Sequence, residues 1–169
     1  MPPAKPPFEE LYRDFVNRVY GYVRAQVGVA ADAEDITSQV FLRAYEAYAR
    51  FEPAGATPSA WLFRIARNAS LDHLRASGRR ERLVRVVGHQ PSEEPDAAKV
   101  AEERIEHSEL VALLADLSER QREVIALRHS GLSFAEVGDV LGAREDAAKM
   151  AYHRAIRALR ELAQARGLL

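Results

Sequence analysis

Apolar residues recur at three- and four-residue steps along most of the chain, which is the spacing of one face of an α-helix. One such stripe runs from Phe8 to Val27. A second runs from Ile36 to Tyr48, with Tyr45 among its inward positions, behind Asp32, a residue that can cap a helix. A third helix is expected to begin at Thr57, because the proline after it loses no needed N–H group at the first helical position. No stretch alternates apolar and polar residues for long enough to predict a sheet.

The helical pattern fails between Gly78 and Arg104. This segment starts basic, turns acidic, and contains two prolines and two glycines. Loops of this length are uncommon inside a compact domain, so a linker at 79–104 is favoured over an ordered surface loop. The sequence therefore predicts an all-α protein with a disordered N-terminus at 1–7 and two small helical domains, 8–78 and 105–169, joined by a flexible linker.

The second domain is predicted to contain a helix-turn-helix. Ser118 and Ser133 each stand three residues before a glutamine or glutamate, which is the pattern of a capping box. Gly142 suits the left-handed residue that closes a helix, and a long last helix follows it at once. Such a pair supports the second helix so that its first turns can enter a DNA major groove, although an ordinary helical hairpin has the same pattern.

Composition narrows the classes of function. The 169 residues include no cysteine, which excludes disulfides and thiolate metal sites. The five histidines show no metal-ligand spacing and no glycine-rich phosphate loop is present, so neither an enzyme nor a cofactor or metal site is expected. No apolar run approaches the roughly 20 residues needed to span a bilayer. The N-terminus lacks the apolar core of a signal peptide, so a cytoplasmic protein is expected. The net charge of −1 argues mildly against a purely electrostatic binder of nucleic acid.

Two blocks of the chain resemble the extracytoplasmic-function (ECF) sigma factors of bacterial RNA polymerase, in the sigma-70 superfamily. Region 4 of that family is similar to LSERQREVIALRHSGLSFAEVGDVLGAREDAAKMAYHRAIRALREL. Region 2 is similar to AEDITSQVFLRAYEAY and SAWLFRIARNASLDHLR. The resemblance covers nearly everything from Phe8 to Leu162, in the family's order. It implies a non-catalytic initiation subunit that brings polymerase core to a promoter and opens the DNA there.

The resemblance also implies three binding surfaces. The positions that dock on core polymerase are Asp35, Ser38 and Gln39. The melted strand of the minus-ten element would be held by Trp61, Arg64, Arg67 and Asn68, with Asn68 at the pocket for a flipped base and the loop at 51–57 setting much of the specificity. The minus-thirty-five element would be contacted by Lys149, Met150, His153 and Arg154. By themselves, Trp61 is more often a core residue, and the two arginines on its helix could simply be solvated.

Several positions depart from the family pattern and keep a second hypothesis open. Ser38-Gln39 stands where relatives commonly have Gln-Glu, Arg144 replaces the usual Ser or Thr cap, and Asp146 adds an acid at the DNA-facing end of the last helix. The alternative is a sigma-like decoy that occupies an anti-sigma protein, a common partner of the family, without binding DNA. Trp61 and its neighbours on the third helix argue against it, because a decoy would not need them.

The linker predicts one further property of the free chain. As a relaxed coil, 79–104 would span only about 28 Å on average. We therefore expect the free protein to be compact or variable, with its domains close enough to hide DNA-binding surfaces.

Overall fold

A computed structural model describes residues 5–53, 55–84 and 109–169, apart from the side chains of 79–84. All regular structure within these residues is α-helical, as the apolar spacing predicts. The helices in chain order are α1 (Phe8–Val27), α2 (Ala30–Tyr48), α3 (Pro58–Val84), α4 (109–115), α5 (Glu119–His129), α6 (Phe134–Leu141) and α7 (Glu145–Ala165). None of the described helices is long and apolar enough to cross a membrane.

The N-terminal domain is a bundle in which α1, α2 and α3 pack on one another. The apolar stripes meet at its centre, where the rings of Tyr22 and Phe63 lie edge to face with centroids 5.7 Å apart. Gly28, at φ 75°, ends α1 in the left-handed conformation that glycine adopts most easily. At the start of α3 the backbone N–H of Ala60 donates to the Thr57 hydroxyl at 3.2 Å, so Thr57 begins this helix as predicted.

Three details of this domain differ from the sequence prediction. Helix α2 begins at Ala30, and no side chain of the described residues caps it. Asp32 lies inside the first turn, where its negative charge interacts favourably with the positive end of the helix dipole. Tyr45, predicted to face inward, is 66% exposed because the buried stripe is narrower and passes through Ala44. At the predicted disordered end, the Lys5 ammonium donates to the Tyr48 carbonyl.

The boundary of the linker also differs from the prediction. The sequence indicates that the first domain ends at 78, whereas α3 continues to Val84. Its last residues have no proline, and Gly78 alone does not end the helix because glycine in a helix interior costs only about 1 kcal/mol. The rest of the predicted linker, together with 105–108, lies outside the described residues.

The C-terminal domain contains the predicted helix-turn-helix. Both capping boxes form: Ser118 with Gln121 at the start of α5, and Ser133 with Glu136 at the start of α6. Gly142 closes α6 at φ 68°, and α7 begins three residues later. Helix α6 packs on α7, which also packs on α5.

The two domains pack directly against each other. Helix α1 contacts α5, α3 contacts α6, and the buried apolar residues of both domains form one continuous cluster. Helix α5 shows the effect most clearly, since five successive residues, 123–127, are buried. Because a helical turn contains only 3.6 residues, every face of α5 is covered. The prediction of a compact free chain agrees with this arrangement.

Candidate functional site

The predicted minus-thirty-five residues lie on one exposed stripe of α7. Lys149, Met150, His153 and Arg154 are all exposed, and their spacing of one, three and four residues places them on a single helix face. Met150 is 57% exposed, a large value for an apolar side chain. The opposite face buries Ala148 and Ala155 against the domain. The stripe can therefore reach DNA without any rearrangement of the helix-turn-helix.

The first turn of α7 carries negative charge where DNA would approach. Arg144 occupies the N-cap position, and no side chain of the described residues accepts a cap hydrogen bond there. Glu145 and Asp146 follow it and are both exposed. They complement the positive end of the helix dipole but would repel phosphates. Any contact of this end with phosphates would therefore depend on the cations further along the stripe.

Trp61 lies in an aromatic cluster at the start of α3. Its ring centroid is 4.6 Å from that of Phe51 and 5.8 Å from that of Tyr48. Phe51 begins the loop predicted to set minus-ten specificity, so the tryptophan joins this loop to the helix. Trp61 is only partly buried, and Asn68, two turns along α3, is exposed.

The two predicted minus-ten arginines are engaged by the C-terminal domain. Arg64 donates two hydrogen bonds to the backbone carbonyl of Asp139, at 3.1 and 2.9 Å. Arg67 donates to the Glu123 carboxylate at 2.7 Å. Glu123 is 3% exposed whereas the Arg67 side chain is 26% exposed, so the carboxylate is withdrawn from solvent and the cation only partly. Glu123 neutralises Arg67 in this arrangement, while Arg64 remains exposed and donates only to a backbone carbonyl.

Glu136 joins the starts of α6 and α3. One carboxylate oxygen accepts the Ser133 backbone N–H at 3.2 Å, which completes the capping box. The other accepts the Thr57 hydroxyl at 2.8 Å and also the Ser59 hydroxyl. Burial raises the pKa of Glu136, but the hydrogen bonds from Ser59, Thr57 and Ser133 outweigh it and hold the pKa below its usual range. The capping-box pattern gives no sign of this second role.

Arg18 makes a third contact between the domains. Its guanidinium donates to the Ser130 carbonyl at 2.5 Å and lies over the Phe15 ring, 4.3 Å from the centroid. Ser130 is the C-cap of α5, where a cation complements the negative end of the helix dipole. Sequence reasoning did not identify Arg18, and the pattern on α1 contains no signal that would have done so.

The predicted polymerase-docking residues share an exposed face of α2. Asp35, Ser38 and Gln39 are exposed at a spacing of three and four residues. Leu42, one turn further, is 61% exposed and continues the same face as an apolar position. The face therefore combines an acid, two polar groups and an apolar side chain. Within the described residues, no group of three or more His, Asp or Glu side chains is arranged to hold a metal ion.

Comparison with known proteins gives matches in both domains. The family model for sigma-70 region 2 matches residues 11–80, and that for sigma-70 region 4 matches 113–161. The chain is 35% identical over 161 residues to the ECF RNA polymerase sigma factor BldN of Streptomyces coelicolor, a match that covers 92% of this chain and 60% of that protein. It is 33% identical over 153 residues to the ECF RNA polymerase sigma factor RpoE of Cereibacter sphaeroides, covering 87% of this chain and 83% of that one.

A solved structure shares the fold over most of its length. The sigma factor RpoE in complex with the anti-sigma factor NepR from Bartonella quintana has a TM-score of 0.73 at 23% identity, covering 93% of this chain and 96% of that one. The chain spans 60% of the length of BldN, as noted, and 62% of SigE from Mycolicibacterium smegmatis. With RpoE of Cereibacter sphaeroides, however, the match extends over most of both proteins. The chain therefore belongs to the ECF sigma factors of the sigma-70 superfamily.

Proposed function

We propose that this chain acts in the cytoplasm as a non-catalytic initiation subunit, which recruits core RNA polymerase to specific promoters and melts the DNA there. One observation supports the proposal above all. The same chain carries an exposed polar and cationic stripe on a helix-turn-helix, and a second helix with an aromatic cluster, two arginines and an exposed asparagine. The first surface suits duplex DNA, and the second suits an unstacked strand.

The stripe on α7 would read the minus-thirty-five element. Lys149 and Arg154 can reach phosphates or guanine edges, and a good bidentate contact to a base discriminates by about 1–3 kcal/mol. His153 and Met150 lie between them on the same exposed face. The acids in the first turn of α7 would shift the main contacts away from the helix end.

The start of α3 would hold the melted minus-ten strand. Stacking on Trp61 or its aromatic neighbours contributes about 1–3 kcal/mol per base. Asn68 can read the edge of a flipped base, while Arg64 and Arg67 neutralise its phosphates. Because Glu123 neutralises Arg67 in this structure, this arginine must leave the C-terminal domain before it can bind a phosphate of the strand.

The remaining partners and boundaries are proposed on the same basis. Asp35, Ser38 and Gln39 would dock on core polymerase, and the two domains would act at opposite ends of a tether that begins after Val84 and reaches 104. The structural relative from Bartonella quintana was solved with an anti-sigma factor, so we include a protein of that kind as a candidate partner.

Transcription with purified core polymerase tests the proposal against the decoy. The chain and core are given a duplex promoter library and the same library with a pre-melted minus-ten segment, and the transcripts are sequenced. A sigma factor yields transcripts from a defined subset of duplexes. Absence of transcripts on both templates would falsify the proposal and favour the decoy.

A further inference from the structure

The ion pair between Arg67 and Glu123 lies beside buried apolar residues at the contact between the domains. Glu123 begins the run of five buried residues on α5, and the other four are apolar. Glu123 is 3% exposed and Arg67 26% exposed, so closure strips water mainly from the carboxylate, and such a pair is often no more stabilising than apolar residues of the same volume. The pair therefore needs a reason other than the stability of the closed chain.

The surroundings of the pair are only partly satisfied. The Tyr22 hydroxyl and the Ser70 hydroxyl are buried without a hydrogen-bond partner among the described residues. Burial raises the pKa of Tyr22, and the nearby Glu123 carboxylate raises it further. Buried polar groups without partners lower the stability of the state that buries them. The unpartnered Tyr22 hydroxyl, which lies near Glu123, therefore lowers the stability of the closed chain.

A carboxylate and a phosphate present the same chemistry to arginine. Each offers anionic oxygens that accept charge-assisted hydrogen bonds from a guanidinium. Glu123 meets Arg67 with one such oxygen at 2.7 Å. The C-terminal domain thus supplies Arg67 with the type of ligand that a DNA backbone would supply.

We infer that Glu123 is an internal substitute for a DNA phosphate, which occupies Arg67 in the closed chain and competes with the melted strand for it. This inference relies on one part of the proposed function, which is the assignment of Arg67 to the melted strand. Nucleic acid and Glu123 then exclude each other from Arg67. Any partner that moves Glu123 away from Arg67 exposes the site for the strand.

The test measures opening and strand binding in the full chain. The chain has no cysteine, so dye labels can be placed by cysteine substitution at Ala31 and Gln164, both exposed. The ligand is a short fluorescent oligothymidine, because cation–phosphate contacts do not depend on base sequence. The variants are Glu123→Gln, Arg67→Ala and the double variant. Glu161→Gln, an exposed site on α7, removes the same charge from the same domain as a matched control.

Glu123→Gln should lengthen the distance between the labels. It should also raise the affinity for the strand about tenfold, if about one in ten free parent molecules is open. The slope of log affinity against log salt should stay close to that of the parent chain, because Arg67 contacts the same phosphate in both bound states; Arg67→Ala should instead make the slope shallower by about 0.7, the value for one phosphate on a single strand. The gain in affinity should vanish in the double variant, and Glu161→Gln should not lengthen the label distance. Glu123→Asp, which keeps the charge on a shorter stem, should give a smaller gain in the same direction and serves if the glutamine variant folds poorly.

Two results would overturn the inference. If Glu123→Gln leaves strand affinity unchanged, then Glu123 is at most a structural contact. If the gain persists without Arg67, it reflects the loss of a negative charge and not the release of that arginine. Transcription by the parent chain with core polymerase is measured alongside, because its absence would refute the proposed function whatever Glu123 does.

Discussion

Replacing Gly138 by alanine should destabilise the helix-turn-helix, whereas the same replacement at Gly21 should stabilise the protein. Both glycines lie inside helices, α6 and α1, where glycine is about 0.5–1 kcal/mol less favourable than alanine. Helix propensity alone therefore predicts the same gain in stability at both sites. The packing around the two glycines makes the expected changes differ.

The surroundings of the two glycines differ in the space they leave for a methyl group. A Cβ at Gly138 would lie 2.6 Å from the Ala143 carbonyl oxygen, a backbone atom in the turn before α7. At Gly21 no described atom lies within 4 Å of the added carbon. Overpacking of this kind costs about 1–3 kcal/mol. After the helix-propensity gain is subtracted, Gly138→Ala should lower the free energy of unfolding by up to about 2.5 kcal/mol, while Gly21→Ala should raise it by about 0.5–1 kcal/mol.

Urea unfolding followed by far-ultraviolet circular dichroism measures both changes, with the two variants as mutual controls. Movement of the turn should also stretch the 2.8 Å hydrogen bond from the Ala143 N–H to the Gly138 carbonyl, so amide exchange at Ala143 should accelerate in the Gly138 variant alone. A Gly138→Ala protein as stable as Gly21→Ala would refute the argument, since it would mean that the turn yields to the methyl group at no cost.

Four further predictions concern DNA and the closed chain. Asn68→Ala should impair transcription from a duplex promoter without changing the free energy of unfolding, with the exposed Asn17→Ala as control; equal transcription by mutant and parent would remove Asn68 from the strand site. Arg154→Ala should weaken duplex binding and reduce its salt slope by about one unit, whereas a changed base preference at constant slope would assign it to a base edge. Hydrogen bonds lower the pKa of Glu136 in the closed chain, so its contribution to closure is present above the usual glutamate range and is lost as the pH falls through the lowered pKa; label distances should lengthen over that window, and less so in Glu136→Gln. Core polymerase should lengthen and narrow the distance between labels at 31 and 164, and a single long distance in the free chain would contradict the tether.

Local features of this protein could be predicted from the sequence because neighbouring residues produce them. The capping boxes at Ser118 and Ser133 and the left-handed Gly142 depend on contacts within a few positions, and all three form. Asp32 shows the limit of this approach. It has the right side chain for a cap, but α2 starts two residues earlier, and a helix start shifts easily when propensity changes little from one residue to the next.

The contacts between the domains could not be predicted, because their partners are far apart in the chain. Arg67 and Glu123 are separated by 56 positions, and Arg18 and Ser130 by 112. The sequence did contain one usable signal. Four successive apolar residues, 124–127, place an apolar side chain on every face of one turn of α5, which is typical of a turn that is buried on all sides. That pattern would have indicated a covering partner without naming Glu123.

The exposed stripe on α7 gives the closed chain an order of events. If the chain acts as proposed, its minus-thirty-five residues are open to solvent while Glu123 still holds Arg67, so a closed chain would meet double-stranded DNA before that arginine could hold a separated strand. Searching and melting would then be distinct stages of one encounter, and single-stranded nucleic acid elsewhere in the cell would compete poorly for the free protein. The affinity of the closed chain for duplex DNA would set its residence time there. The opening of the chain would be the step that commits it to a start site.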